Sequence, residues 1–166
     1  MSRPCVLLAA LALCGCFEPK PAPPTVFKSD PHGHSHERDK MLLADVSKTD
    51  YHAALTAHLS DKDGHELDIF FETADDTPNP VPLSVAKFAA TATTAGGAAH
   101  PLEFEPAPPE ERKGDPAGRC SHFVAKAGWM KRTDALTVTA TLDIDGKPAK
   151  IEWKSFNPKK YAHHDE

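Results

Sequence analysis

The chain has 166 residues, with 19 lysines and arginines against 24 aspartates and glutamates, and a formal net charge of −5. This mildly acidic balance excludes the basic surface that nucleic-acid binding requires, and it offers no polybasic patch for a membrane surface. The length and the 40% share of hydrophobic residues fit one domain around one core.

The N-terminus has the form of a secretory signal, in which Arg3 is followed by a short apolar run. That run is too short for a transmembrane helix, which needs about 20 apolar residues. Its end, Leu-Cys-Gly-Cys at 13–16, resembles a bacterial lipobox. The resemblance implies removal of residues 1–15, lipidation of Cys16 and attachment to the cell envelope through that lipid. Phe17, where an aspartate would retain some lipoproteins in the inner membrane, favours the periplasmic face of the outer membrane. The alternative is a plain secretory signal that releases the protein.

Three further regions follow the signal. Residues 16–40 are predicted to be a disordered tether rich in proline and histidine, because few of them are apolar. The folded domain is predicted at residues 41–158, with a possible short helix at 41–46. Residues 159–166 are predicted to be a polar tail that carries histidines.

Apolar and polar residues alternate within the domain with a period of two, which predicts strands rather than helices. The strands are predicted at residues 51–59, 67–72, 83–88, 102–105, 122–126, 136–144 and 151–153. Asp-Gly pairs at 63–64 and 145–146 supply the positive φ angles of tight hairpin turns. The small residues at 89–99 are predicted to lead from the third strand into a flexible loop, and 106–119 to form a long loop.

These short strands, separated by turn signals, predict an all-β fold in the form of an immunoglobulin-like β-sandwich of about seven strands. The predicted core consists of the inward-facing apolar residues Leu55, Leu59, Ile69, Phe71, Leu83, Val85, Phe104, Phe123, Leu136, Val138, Leu142, Ile144, Ile151 and Trp153.

Two histidine tracts are the strongest candidates for chemistry. His32, His34 and His36 alternate along the tether, and His163 and His164 lie near the C-terminus. Imidazole nitrogens suit zinc, copper and nickel, so these five residues are the predicted metal ligands. Because only neutral rings bind metal, affinity should fall as the pH drops through about 6.5. The alternative is that both tracts are solvated tails whose histidines bind nothing specific.

Cys120 and His122, with Met130 nearby, faintly resemble the copper loop of cupredoxins, but the spacing departs from that loop. A buried, inert thiol beside a surface histidine is the preferred interpretation. The other histidines of the domain are also interpreted as surface residues: His52, His58, His65 and His100. The sequence lacks the metalloprotease, serine-hydrolase, phosphate-loop and dinucleotide motifs, which predicts a protein that is not an enzyme.

Residues 114–119, Gly-Asp-Pro-Ala-Gly-Arg, stand just before a predicted strand that contains Phe123. Together with the lipobox and the His-rich tether, this segment resembles small uncharacterised bacterial lipoproteins, some of which carry comparable His-rich tails and occur near heavy-metal efflux adaptors. We therefore expect a lipid-anchored envelope protein that binds or buffers divalent transition-metal ions. The alternative is a non-catalytic protein-interaction or structural module, with incidental histidines and an unidentified envelope partner.

Overall fold

The computed structural model describes residues 38–112 and 114–165, and the predicted all-β fold is confirmed for them. A 3₁₀ turn at Arg38–Lys40 precedes nine strands. None of the helical structure in the described part of the chain is long and apolar enough to cross a membrane. The strands are β1 (Leu42–Asp45), β2 (Tyr51–Leu59), β3 (Glu66–Thr73), β4 (Phe88–Thr94), β5 (Ala99–Pro106), β6 (His122–Lys126), β7 (Leu136–Ile144), β8 (Lys147–Phe156) and β9 (Ala162–Asp165).

The strands form one sheet in the antiparallel order β1-β2-β3-β6-β5-β4-β7-β8, and β9 pairs in parallel with β2. The two ends of this path meet, because the Ser47 amide donates to the Lys150 carbonyl oxygen at 3.0 Å and the Lys150 amide donates to Ser47 Oγ at 2.8 Å. The sheet is therefore nearly closed into a barrel, and an immunoglobulin-like sandwich is not confirmed. Closure provides hydrogen-bond partners for backbone N–H and C=O groups that the edges of an open sheet would leave unpaired.

The interior of the barrel is apolar, as the alternation predicted. Every second residue of β7 is buried. All of the predicted core residues are buried except Val85, which is partly buried and packs against the core. The prediction missed two aromatic core residues, Phe88 and Phe156. The Phe88 ring stacks on Phe104 with 5.2 Å between the ring centroids, so the predicted strand 83–88 contributes to the core through both its first and its last residue, Leu83 and Phe88.

The Asp-Gly pair at 145–146 joins β7 and β8 in a tight hairpin, as predicted. Asp145 and Gly146 have φ angles of 51° and 78°, the positive values that such two-residue turns require. The Asp143 carboxylate accepts a hydrogen bond from the Gly146 amide at 2.7 Å and so stabilises the turn. In the longer connection between β2 and β3, Gly64 has a φ of 86°.

Two parts of the strand prediction are corrected. Residues 41–46 contain β1 instead of a helix, because Leu42–Asp45 pair with β2 along their whole length. In the predicted strand 83–88, the residues before β4 form only a bridge, between Leu83 and Cys120. The prolines just before it cannot donate to a strand ladder, which limits pairing there. β4 runs through the first part of the alanine- and threonine-rich segment that was predicted to lead from a strand into a loop, and its small side chains preserve the alternation of buried and exposed positions.

The segment 159–166, predicted to be a polar tail, contains β9. The Ala57 amide of β2 donates to the Tyr161 carbonyl oxygen at 2.9 Å, and the Tyr161 ring stacks on buried Phe156 with centroids 5.5 Å apart. Ala162 is only 8% exposed. Apolar contacts of these two residues explain why the C-terminus docks on the sheet, which places the last histidines at the edge of β2.

Candidate functional site

The predicted ligands fall into two groups in the structure. His163 and His164 lie in β9, although the side chain of His164 is outside the described part. The predicted lipidation site and the tether histidines lie outside the described residues: Cys16, His32, His34 and His36.

β9 places His163 against His58, a histidine of β2 that sequence reasoning interpreted as an isolated surface residue. Their ring centroids are 5.6 Å apart and their ring planes meet at 62°. The strand register shifts at this point, because Ala57 is partnered with Ala162 whereas His58 is partnered with His164. His163 is thus the extra residue of a bulge, and bulges re-aim side chains. The irregularity in β9 brings the two half-buried imidazoles together.

Thr56 orients the imidazole of His163. The fully buried Thr56 hydroxyl donates to the Tyr161 carbonyl oxygen at 2.6 Å, so its oxygen can only accept from His163 Nδ1, which lies 3.3 Å away. This hydrogen bond selects the tautomer of His163 that carries its proton on Nδ1. The lone pair is then on Nε2, as in metal-ligating histidines whose other ring nitrogen donates to a protein oxygen.

The spacing of the two rings fits a shared metal ion. With metal–nitrogen bonds of about 2.1 Å, a metal lies about 3.2 Å from each ring centroid, and a tetrahedral angle separates the centroids by about 5.2 Å. The observed 5.6 Å is within a small side-chain adjustment of that value. Residues 38–112 and 114–165 hold no group of three or more histidine, cysteine, aspartate or glutamate side chains arranged for a metal. By itself the pair of His58 and His163 offers two ring nitrogens, fewer than the four ligands of a structural zinc site.

Two other histidines lie apart from this pair. His52 Nε2 is 3.2 Å from the Asp45 carboxylate at the opposite end of β2. The His100 ring stacks on Trp129 with centroids 3.9 Å apart and an interplanar angle of 8°. These contacts give each ring a local structural role that requires no metal.

The interpretation of His122 as a surface histidine is wrong, because the residue is only 5% exposed. Its Nε2 donates to Asp68 Oδ1 at 3.0 Å, its ring stacks on Phe70 at 4.1 Å between centroids, and its Nδ1 lies 3.9 Å from a Glu111 oxygen. Asp68 is 4% exposed. This pair is a buried link between β3 and β6, and the acidic residue in the middle of an apolar strand was the available sequence signal for it.

The interpretation of Cys120 as a buried thiol is confirmed, since the residue is 2% exposed and unpaired among the described cysteines. Its Sγ donates to the carbonyl oxygen of His122 at 2.7 Å. Burial raises the pKa of the Cys120 thiol, which favours the unreactive neutral form.

Cys120 is expected to react slowly with a thiol reagent in the folded protein and rapidly after unfolding in urea. Above about pH 8.5, where an ordinary thiol loses its proton, the unfolded chain ionises while the folded chain stays neutral. The contribution of this group to the free energy of unfolding is therefore complete below that pH and decreases as the pH rises. Thiol titration of residues 16–166 carrying Cys16→Ser tests this, with Cys120→Ala as the control. Rapid labelling of the folded protein would contradict it.

Comparisons of the chain with protein-family models, with curated proteins and with solved structures give no match. The fold and the pair of His58 and His163 are therefore the two features by which the protein is classified. It is an all-β protein with a nearly closed antiparallel sheet and a histidine pair at the edge of β2.

Proposed function

We propose that this protein is anchored through a lipid on Cys16 to the periplasmic face of the bacterial outer membrane, where it binds or buffers a divalent transition-metal ion. The observation that carries the metal-binding part is the contact of His58 with His163, whose ring centroids are 5.6 Å apart. The lipid anchor rests on the lipobox-like sequence at 13–16.

In this proposal His58 and His163 are two of the ligands, and Thr56 holds His163 in the tautomer that can bind. The remaining ligands come from histidines whose side chains lie outside the described part: His32, His34, His36 and His164. Neutral nitrogen donors favour zinc, copper or nickel over calcium and magnesium, which prefer oxygen. We propose no catalytic role for the site, because the sequence carries no catalytic motif.

Calorimetric titration of the full chain in detergent with zinc, copper and nickel is the test. We expect micromolar or tighter binding at pH 7.5 and weaker binding at pH 5.5, because imidazoles become protonated below about pH 6.5 and lose the lone pair that binds metal. His58→Gln and His163→Gln should each lower the metal affinity by about 10-fold or more, because each removes a ligand. Loss of a residue that only hydrogen-bonds to a ligand already lowers metal affinity by about 10-fold.

His52→Gln is the matched control, because His52 lies on the same strand and face as His58 but contacts Asp45 instead of His163. It should leave the affinity unchanged. Millimolar or weaker binding of all three metals, or equal affinity in the His58 and His52 variants, would contradict the proposed function.

The second candidate is a non-catalytic protein-interaction module, which an open groove on the described surface favours. This groove, of about 610 Å³, lies between β6 and the proline-rich loop and is lined by Pro108, Glu105, Glu111 and Val124 among others. Cross-linking in the envelope tests this candidate: a partner captured through Glu111→Cys, with metal binding absent, would favour it over the metal-binding proposal.

A further inference from the structure

A carboxylate lies directly beside the histidine pair on the sheet. In the pairing of β2 with β3, His58 is the strand partner of Glu66. Leu59 and Leu67, the next residues along these strands, point into the core, so His58 and Glu66 both project from the outer face. Directly opposed side chains on one face start from Cβ atoms about 4.5–5.5 Å apart. The Glu66 carboxylate therefore has the length to meet the His58 imidazole.

The structure shows Glu66 paired on its other side, with Lys126. Lys126 is the strand partner of Glu66 on β6, and β6 flanks β3 on the side away from β2. The Lys126 ammonium donates to Glu66 Oε1. The Lys126 side chain is 75% exposed and that of Glu66 is 19% exposed. Because an ion pair with a largely solvated partner contributes little to stability, Glu66 can leave Lys126 at small cost.

We propose that Glu66 is a further ligand of the metal ion bound by His58 and His163, and that it exchanges Lys126 for the ion when the metal binds. The inference rests on the proposed function and deepens it by adding a carboxylate to the histidine ligands. While Glu66 is paired with Lys126, residues 38–112 and 114–165 offer no assembled group of three ligands. Rotation of the Glu66 side chain toward β2 supplies the third, with a metal–oxygen bond of about 2.0–2.2 Å.

The chemistry of the ligands supports this exchange. Two histidines with one glutamate are a ligand set that zinc takes in proteins. The carboxylate also brings a negative charge to the divalent ion, which the two neutral imidazoles do not. Lys126 competes with the ion for that carboxylate, so it lowers the affinity and favours release, as a buffering protein requires. Once displaced, its ammonium group stays in water, because the side chain is already exposed.

Zinc titration of the full chain in detergent, followed by calorimetry, tests the exchange with two substitutions of opposite effect. Glu66→Gln keeps the shape of the side chain but makes it a poor ligand, and it should lower the zinc affinity by about 10-fold or more. Lys126→Met keeps a long side chain without the competing charge, and it should raise the zinc affinity by about 2- to 5-fold. Combined with Glu66→Gln, Lys126→Met should have no effect, because the carboxylate for which it competes is gone.

Glu72→Gln is the matched control. Glu72 lies on the same strand and face as Glu66, and it opposes His52 in the way that Glu66 opposes His58. Its carboxylate binds Arg38 Nη1 at 3.1 Å, so it belongs to no histidine pair. The substitution removes the same charge from the same strand and should leave the zinc affinity unchanged.

Infrared difference spectra provide the second readout. Zinc should shift the carboxylate stretching bands of the wild-type chain and of Glu72→Gln, and Glu66→Gln should abolish that shift. Wild-type affinity in Glu66→Gln, or additive effects of Glu66→Gln and Lys126→Met, would overturn the role of Glu66 while leaving metal binding intact. No zinc binding by the wild-type chain would overturn the proposed function as well.

Discussion

Trp153→Ala is expected to lower the free energy of unfolding by about 3–5 kcal/mol, the range for removing a large buried aromatic side chain. Trp153 is 1% exposed in the centre of β8, and its indole Nε1 donates to the Ala53 carbonyl oxygen of β2 at 2.9 Å. The side chain therefore links β8, at one end of the sheet, to β2, next to the other end, across the seam where backbone pairing between β1 and β8 is limited. The loss is a large share of the roughly 5–15 kcal/mol that stabilises a typical domain.

Trp153→Phe is the matched control. It retains most of the apolar volume but loses the hydrogen bond to Ala53, so we expect a smaller loss of about 1–2 kcal/mol. Urea unfolding followed by circular dichroism measures both variants. If Trp153→Ala cost no more than Trp153→Phe, the side chain would not fill the barrel interior as described.

His122→Phe is expected to lower the free energy of unfolding by about 3–5 kcal/mol, although it keeps an aromatic ring against Phe70. The Asp68 carboxylate would stay buried but would lose the hydrogen bond that its Oδ1 accepts from His122 Nε2. Its other oxygen, Oδ2, has no hydrogen-bond partner among the described residues. A buried carboxylate without a donor is far more costly than the loss of one average hydrogen bond, because its desolvation is no longer offset.

Adding Asp68→Leu to His122→Phe should restore stability to within about 1 kcal/mol of the wild-type value, because two apolar residues leave no buried charge. Glu111→Gln should change stability by no more than about 0.5 kcal/mol, since that side chain is about half exposed and its carboxylate lies 3.9 Å from the ring. The double-mutant cycle, measured by urea unfolding, isolates the pair. Additive losses in the double variant would show that Asp68 and His122 do not act as a buried pair.

The strands that were predicted well depend on local information. In β7 the apolar residues at every second position point inward, and the Asp-Gly pair at 145–146 forces the hairpin that follows. Side-chain alternation and positive φ angles are properties of adjacent residues, so they can be derived without knowing which strands are neighbours. The sequence did not define where the Ala/Thr-rich β4 ends, because its small side chains give a weak hydrophobic signal and its pairing with β5 and β7 stabilises it.

The candidate site depends on contacts between distant parts of the chain. Thr56 and His163 are separated by 107 positions, and Asp68 and His122 by 54. Nothing near His58 distinguishes it from the other histidines of the domain, because its significance comes from β9 docking in parallel beside it. Similarly, His122 becomes a buried residue only because β6 pairs with β3 and places it beside Asp68.

By itself the sequence determined the all-β class, the core, the hairpin turn at 145–146 and the histidine tracts, because each of these features depends on residue type and short-range spacing. Only the tertiary structure decided that the sheet nearly closes, that the C-terminal segment is a strand, and that β1 and β9 pair with the same edge of β2. The physical reason is that strand order and edge pairing are set by the packing of the whole core and the satisfaction of backbone hydrogen bonds across the sheet. Those terms join residues that the sequence keeps far apart.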